Sequence, residues 1–345
     1  MREQSFTGRQ CRSFHLRPRS SEFQQRMLSL LLVTVDTVFK LSPRPEIAAA
    51  RLLQLNRWIC GLQTHYLKAG GLYWPYLEGG RGLPVVLLHG FGADKDRFGS
   101  LVPFLRRRFR VIIPDLPGFG EHRRDWSLAY DIHAQVQRLE EFIGAIGLKR
   151  FHLMGLSLGG YVAARYTVRY AQRIMSLALM DSAGFSSVIP SAAMRLFESS
   201  GHNIFLYTNE GEMDLLFRFL LHRPIKLPPA LRNYWLQQGR DQHAWRRKLF
   251  DDLFNGGLDL MDALAPQIKV PTLIIWGADD RICHVSAVAR ILAAVENSRA
   301  YIIHNCGHLP LVEYPRLFRR IYLGFLTGST SGSVPGARPG RWFPD

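Results

Sequence analysis

Ser157 stands in the run Gly155-Leu156-Ser157-Leu158-Gly159, after a short apolar stretch and before a segment of helical spacing. The Gly-x-Ser-x-Gly pattern fits one mechanical task. A serine hydroxyl is held clear of a sheet at the tip of a sharp strand-to-helix turn, and the backbone there is strained. Residues two positions away on either side must be nearly free of side chain, or strand and helix cannot approach. Gly155, Gly159 and Gly160 supply that room. A helix opening behind the serine aims backbone N–H groups and a positive dipole end at it, which suits an anionic tetrahedral intermediate. Ordinary turns also contain Gly/Ser runs, so the motif needs partners to carry weight.

A serine hydroxyl is a weak nucleophile at neutral pH. It requires a base within hydrogen-bond reach and a third group that fixes the tautomer of the base. Twelve histidines compete for the base role. His308 follows an apolar run, sits between Gly307 and Leu309 and comes last in the chain. His304 is the runner-up, and His89 belongs to the turn His89-Gly90-Phe91-Gly92. His15, His65, His122, His133, His202, His222 and His243 are expected at the surface. For the acid, Asp279 and Asp280 follow the apolar run ending at Trp276, and Asp181 follows the preceding one. Asp115 is expected to tie the turn after it. The backbone N–H groups of Leu158 and Phe91 are the candidate oxyanion donors.

Those residues need a scaffold, and the pattern supplies one. Apolar runs at residues 84–88, 109–114, 151–154, 174–180, 271–276 and 301–303 alternate with helical spacing at about 95–106, 128–146, 158–171, 285–295 and 309–326. Strands alternating with helices predict a mostly parallel sheet covered on both faces. Ligands of such sheets bind at the carboxyl ends of the strands, where Ser157 and the His89 turn fall. The core is expected at 69–182 and 269–326, with residues 71–79 as an edge strand that tolerates Pro75. The alternation stops at 183–268, too long for a structureless loop. This stretch is expected to be an inserted helical cap, rich in apolar residues from Phe197 to Trp235, most of which pack the cap and some of which line an acyl-binding cleft.

The flanks differ. Residues 1–26 are polar and basic and are expected to be a disordered tail, as is the Gly-, Ser- and Pro-rich stretch 327–345. Met27 begins a new texture and is an alternative start. Residues 28–39 are strongly apolar but interrupted by Asp36, and shorter than the roughly 20 residues of a spanning helix. A second helix is expected over 46–66, so 27–68 reads as apolar and amphipathic helices. With Trp58, Arg51 and Arg57 in it, this region suits a membrane surface, the remainder being cytoplasmic or periplasmic.

The 345 residues are 47% hydrophobic and 21% charged, a globular balance able to bury a sizeable core. The net charge of +16 raises nucleic acid or an anionic surface as partners. The basic residues are scattered, however, and no nucleic-acid motif accompanies them. Cys11, Cys60, Cys283 and Cys306 form no Cys-x-x-Cys pair, so neither a zinc site nor a redox motif is implied. No metal or organic cofactor is expected.

Taken together, His89-Gly90-Phe91-Gly92, Gly155 to Gly159, Trp276-Gly277-Ala278-Asp279-Asp280 and Asn305-Cys306-Gly307-His308 resemble the α/β-hydrolase family, in its Ser…Asp…His order. The likeness covers about 72–326. The runs His89 to Asp96 and Asp115 to Gly120 are further similar to membrane-associated monoacylglycerol lipases and bacterial phospholipases A of that fold. The resemblance implies Ser157 as nucleophile, His308 as base and Asp280 as the acid. It implies a serine ester hydrolase of small lipid-like substrates and an N-terminal membrane attachment. Dehalogenases and epoxide hydrolases of this fold use an aspartate nucleophile, which Ser157 argues against. Thioester hydrolysis, carbon–carbon bond hydrolysis, peroxidase chemistry and a slow ligand-binding receptor stay open alternatives, since fold does not fix function.

Overall fold

The computed structural model describes residues 13–16, 42, 44–223, 225, 227–254, 261–328 and 338–339. Its strands are β1 (Ser13–Leu16), β2 (Gln63–Ala69), β3 (Leu72–Gly79), β4 (Leu83–Leu88), β5 (Phe109–Pro114), β6 (Phe151–Leu156), β7 (Ile174–Met180), β8 (Thr272–Gly277), β9 (Ser298–Ile303) and β10 (Arg338–Pro339). They form one sheet in the order β10-β1-β9-β8-β7-β6-β4-β5-β3-β2. The run from β5 to β9 pairs in parallel, while β2 and β3 are antiparallel.

Side chains alternate between faces along each strand, and here both faces are dry. Val86 and Leu88 of β4 and Ile274 and Trp276 of β8 enter one apolar cluster, with the helices Ile132–Ala145 and Leu158–Arg169. Val85, Leu87, Leu273 and Ile275 enter the other, with the helix Pro315–Leu326. The mostly parallel sheet with helices on both faces that the resemblance implied is therefore the observed fold. Chain order reverses around β4, which lies between β5 and β6. The turns after β4 and β6 consequently splay to opposite sides, and the crevice between them is where such sheets receive ligands.

Several boundaries fall differently from the sequence-based expectation. The helix expected over 46–66 is Pro45–Cys60, and β2 follows it. Gly61 stops it in a left-handed conformation (φ 64°), with Leu62 N–H returning to the Arg57 carbonyl at 2.8 Å. Because β2 takes the sheet edge, β3 is an inner strand. Its Pro75 is accommodated by contributing only its carbonyl, which accepts from Asp115 N–H at 2.9 Å. The helix expected over 95–106 is a 3-10 turn (Lys95–Phe98) and a separate short helix (Val102–Leu105), broken around Gly99. The tails are not wholly irregular: β1 adds in parallel to β9, and β10 pairs with β1. Among the described residues, four α-helices lie between β7 and β8, Ala192–Ser200, Glu210–Leu220, Pro229–Asp241 and His243–Phe254. The apolar run 28–39 lies outside the described residues. Among those described, no helix is long and apolar enough to cross a membrane.

Candidate active site

The residue at the tip of the β6 turn is Ser157, with φ 53° and ψ −117°, in the left-handed half of the map that a side chain rarely enters. The conformation is over-determined by its surroundings. Ser157 N–H donates to the Met180 carbonyl at 2.9 Å, and its own carbonyl accepts from Gly160, Tyr161 and Ala183. The turn is also crowded. A Cβ on Gly155 would stand 2.0 Å from the Gly159 carbonyl oxygen, and one on Gly159 would stand 2.3 Å from that of Leu88. Ser157 is 8% exposed, and its hydroxyl makes no hydrogen bond among the described residues. It is left for an incoming group.

Asp280 and His308 meet directly. His308 Nδ1 lies 2.8 Å from Asp280 Oδ2, and both side chains are buried. An ionised carboxylate only accepts, so the proton of the pair sits on Nδ1 and leaves Nε2 as a base. The other oxygen of Asp280 accepts from Ile282 N–H (2.8 Å) and Cys283 N–H (3.0 Å), which fixes the carboxylate in its turn. Asp279 turns away, 3.0 Å from His222. The runner-up base, His304, lies at the β1 edge of the sheet, 3.1 Å from His15.

The runner-up acid has a different surrounding. Asp181 ends β7 with φ 43°, is wholly buried, and accepts from Gly277 N–H at 2.9 Å through Oδ1. Its Oδ2 has no hydrogen-bond partner. Burial first, and then the neighbouring charge of Asp280, pushes its pKa well above the usual carboxylate range. His308 therefore faces Asp280, and Asp181 sits behind the Asp280 turn, held to Gly277 N–H.

Opposite Ser157, the turn after β4 brings Phe91 into place. Neither Phe91 N–H nor Leu158 N–H donates to another backbone group among the described residues, and Leu158 is the first residue of its helix. His89 ties this turn to the next one. Its Nδ1–H donates to the Gly90 carbonyl (2.9 Å), while Nε2 accepts from Leu116 N–H (2.9 Å). That pairing requires a neutral ring, and burial lowers the His89 pKa accordingly. Asp115 accepts from Lys95 N–H, Lys95 Nζ and Glu121 N–H, so it ties the turns on both sides. Burial disfavours the Lys95 ammonium, but Asp115 and Glu121 outweigh it and raise its pKa. Arg57 joins this network through Asp96 and Glu121, linking the helix Pro45–Cys60 to the Phe91 side of the crevice.

Other supports have no local sequence signature. His308 N–H donates to the Leu220 carbonyl at 2.9 Å. Glu313 accepts from Gly307 N–H (2.6 Å) and His222 N–H (2.9 Å), holding the His308 loop to the inserted segment. His122, expected at the surface, is buried and donates through Nε2 to the Asp115 carbonyl at 3.0 Å. Asp280, Cys283 and His308 place ligand-type atoms within 4.8 Å of one another. The donor set does not favour a metal: burial raises the Cys283 thiol pKa, and the Asp280–His308 bond already occupies both partners. Phe91 packs against Phe205 and Phe250 of the insertion, with ring centroids 5.3 and 6.0 Å away. The apolar side chains of that segment therefore border the crevice.

Residues 85–321 match the alpha/beta hydrolase family. Lipase 1 of Psychrobacter immobilis is 30% identical over 267 residues, covering 76% of this chain and 84% of that protein. Monoacylglycerol lipase abhd6-B of Xenopus laevis is 30% identical over 300 residues, covering 82% and 88%. Among solved structures, a membrane phospholipase A described as a bacterial virulence factor is similar with a TM-score of 0.80 and 32% identity. It covers 88% of this chain and 98% of that one.

Proposed function

The chain belongs to the alpha/beta hydrolase family, and within it we propose a serine hydrolase of lipid-like carboxylic esters that works through Ser157, His308 and Asp280. The observations that carry this are a serine hydroxyl held at φ 53° on a helix N-terminus, with no hydrogen bond among the described residues, and a buried histidine whose Nδ1 lies 2.8 Å from a buried carboxylate. Similarity to lipases and a monoacylglycerol lipase supports lipid esters as the substrate class.

The reaction follows from the atoms. Ser157 Oγ attacks the ester carbonyl carbon, and its proton passes to His308 Nε2. The carbonyl oxygen becomes an oxyanion between Phe91 N–H and Leu158 N–H, next to the positive end of the helix Leu158–Arg169. Asp280 stays ionised and stabilises the imidazolium. The C–O bond to the alcohol then breaks, and Nε2–H protonates the departing oxygen. Water enters, gives a proton to Nε2 and attacks the acyl-serine. Collapse returns that proton to Ser157 Oγ and releases the carboxylic acid. Asp181, which accepts from Gly277 N–H, packs behind the Asp280 turn and takes no proton in turnover. Residues 183–268 act as a cap over the strand ends.

Residues 28–39 attach the enzyme to a membrane surface. The run itself, the exposed Leu55, Trp58 and Ile59 on the helix Pro45–Cys60, and the likeness to a membrane phospholipase A support this. The decisive assay is a chain-length series of p-nitrophenyl esters, with monoacylglycerol and lysophospholipid, for wild type and Ser157→Ala. Steady turnover lost by at least about 10³-fold in the variant is the expected result. A folded wild type that turns over none of these esters refutes it and returns the carbon–carbon hydrolase and receptor alternatives.

A further inference from the structure

A cavity of about 380 Å³ lies among the helices of the insertion. Its lining joins the rings of Phe197 and Phe250 to the polar side chains of His202, Asn203, Arg247 and Asp251, with Glu212 already engaged by Thr208. That volume suits a small polar ligand. The Phe250 ring touches Phe197 on one side (5.9 Å between centroids) and Phe91 on the other (6.0 Å). One ring layer therefore separates the cavity from the proposed oxyanion turn.

The polar wall is unfinished. His202 Nε2 and Asn203 Nδ2 are buried with no hydrogen-bond partner. The amide of Asn203 is oriented, because Phe205 N–H donates to its Oδ1 at 3.0 Å. Its two remaining donors are thus left for something else. Arg247 and Asp251 sit one turn apart on the helix His243–Phe254, where opposite charges can pair. They form no ion pair with each other or with any other described residue. Unpaired donors, a free cation and a free carboxylate lining one cavity match a zwitterion. A neutral glycerol would leave both charges uncompensated.

We propose that this cavity is the head-group subsite for zwitterionic lysophospholipids, a proposal that rests on the ester-hydrolase function of Ser157. The phosphate takes the donors of Arg247, Asn203 and His202, and the ammonium faces Asp251.

The test uses the full-length protein in detergent, with lysophosphatidylethanolamine, lysophosphatidylglycerol and monoacylglycerol of one acyl chain. A guanidinium–phosphate contact at a solvent-facing residue is worth about tenfold in binding. Arg247→Gln is expected to raise KM for both lysophospholipids about tenfold, with kcat and the monoacylglycerol KM within about twofold. Asn203→Ala should act in the same direction. Asp251→Asn should raise KM for the ethanolamine lipid alone, since lysophosphatidylglycerol has no ammonium. Melting temperatures check that each variant folds, and Arg247 is exposed enough for its change to be tolerated. Equal effects of Arg247→Gln on phospholipid and monoacylglycerol, or none on either, overturn the subsite. So does a wild type that cleaves monoacylglycerol but not lysophospholipid. Failure to cleave any ester, p-nitrophenyl esters included, instead overturns the function on which the subsite rests.

Discussion

Replacing Gly159 by alanine tests the link between the crowded turn and the chemistry. The added Cβ would lie 2.3 Å from the Leu88 carbonyl oxygen and 2.5 Å from that of His89, while ordinary contact begins near 3.4 Å. Both obstacles are backbone, so they yield only if the turn after β4 retreats by about 1 Å. Phe91, two residues beyond His89, moves with that turn. A misplacement of about 1 Å costs on the order of 10²-fold in rate, or about 2.7 kcal/mol in the barrier. Overpacking adds about 1–3 kcal/mol to the loss of folding stability. Gly144 is the control. It lies inside the helix Ile132–Ala145, and a Cβ there meets nothing within 4 Å. Gly144→Ala should gain about 0.5–1 kcal/mol through reduced backbone freedom, with activity unchanged. The assay is ester hydrolysis beside urea unfolding for the wild type and both variants. Gly159→Ala is expected to fold less stably, with kcat down about a hundredfold and KM little altered. A Gly159→Ala protein with wild-type kcat would falsify the coupling between elbow and oxyanion turn.

Other expectations follow from individual side chains. Burial depresses the His122 pKa to about 4 from its usual 6.5, so between those values the unfolded chain binds the extra proton and stability falls as pH drops. The loss reaches about 3 kcal/mol by pH 4; His122→Gln should flatten the decline in urea midpoint between pH 7 and 4.5, and an unchanged slope refutes the assignment. Asp280→Asn should lower kcat by about 10³–10⁴-fold by removing the charge that holds the Nδ1–H tautomer. Asp181→Asn, which removes a carboxyl whose pKa burial raises and tolerates φ 43°, should change kcat less than about threefold; the reverse ranking in steady-state assays would reassign the acid. Deleting residues 1–41 should abolish co-flotation with phospholipid vesicles while p-nitrophenyl butyrate hydrolysis persists, and undiminished flotation would move the attachment to the exposed Trp58 face.

Chemistry written in contiguous residues was legible without a fold. Gly155 to Gly159 can satisfy a tight strand-to-helix turn only with small residues at its ends, so the position of the serine is stated by the motif itself. Apolar runs bounded by turns made β5 and β7 readable to the residue, because a strand buried on both faces tolerates almost nothing polar. Gly61 is a local signal of the same kind: its left-handed stop is what separates the helix Pro45–Cys60 from β2. Short-range pattern failed where tertiary pairing decides. Residues 63–69 carry apolar spacing compatible with either helix or strand, and only antiparallel pairing with β3 selects the strand. Likewise β1 and β10 are too short to declare themselves, and exist only because β9 and β1 offer an edge.

For the site, the sequence by itself determined which residue types were present and their order along the chain. It could not choose among carboxylates at the ends of neighbouring strands. Asp181 and Asp280 are 99 positions apart in sequence yet lie side by side, and which one faces His308 is a matter of strand order and turn geometry. The same holds for Leu220, Glu313 and the wall of the insertion cavity. Each acts through contacts between segments distant in the chain, and such contacts come into being only when the sheet has brought those segments together. Local sequence encodes a residue's intrinsic chemistry and the backbone it can adopt. Its partner, its burial and hence its protonation are properties of the folded whole.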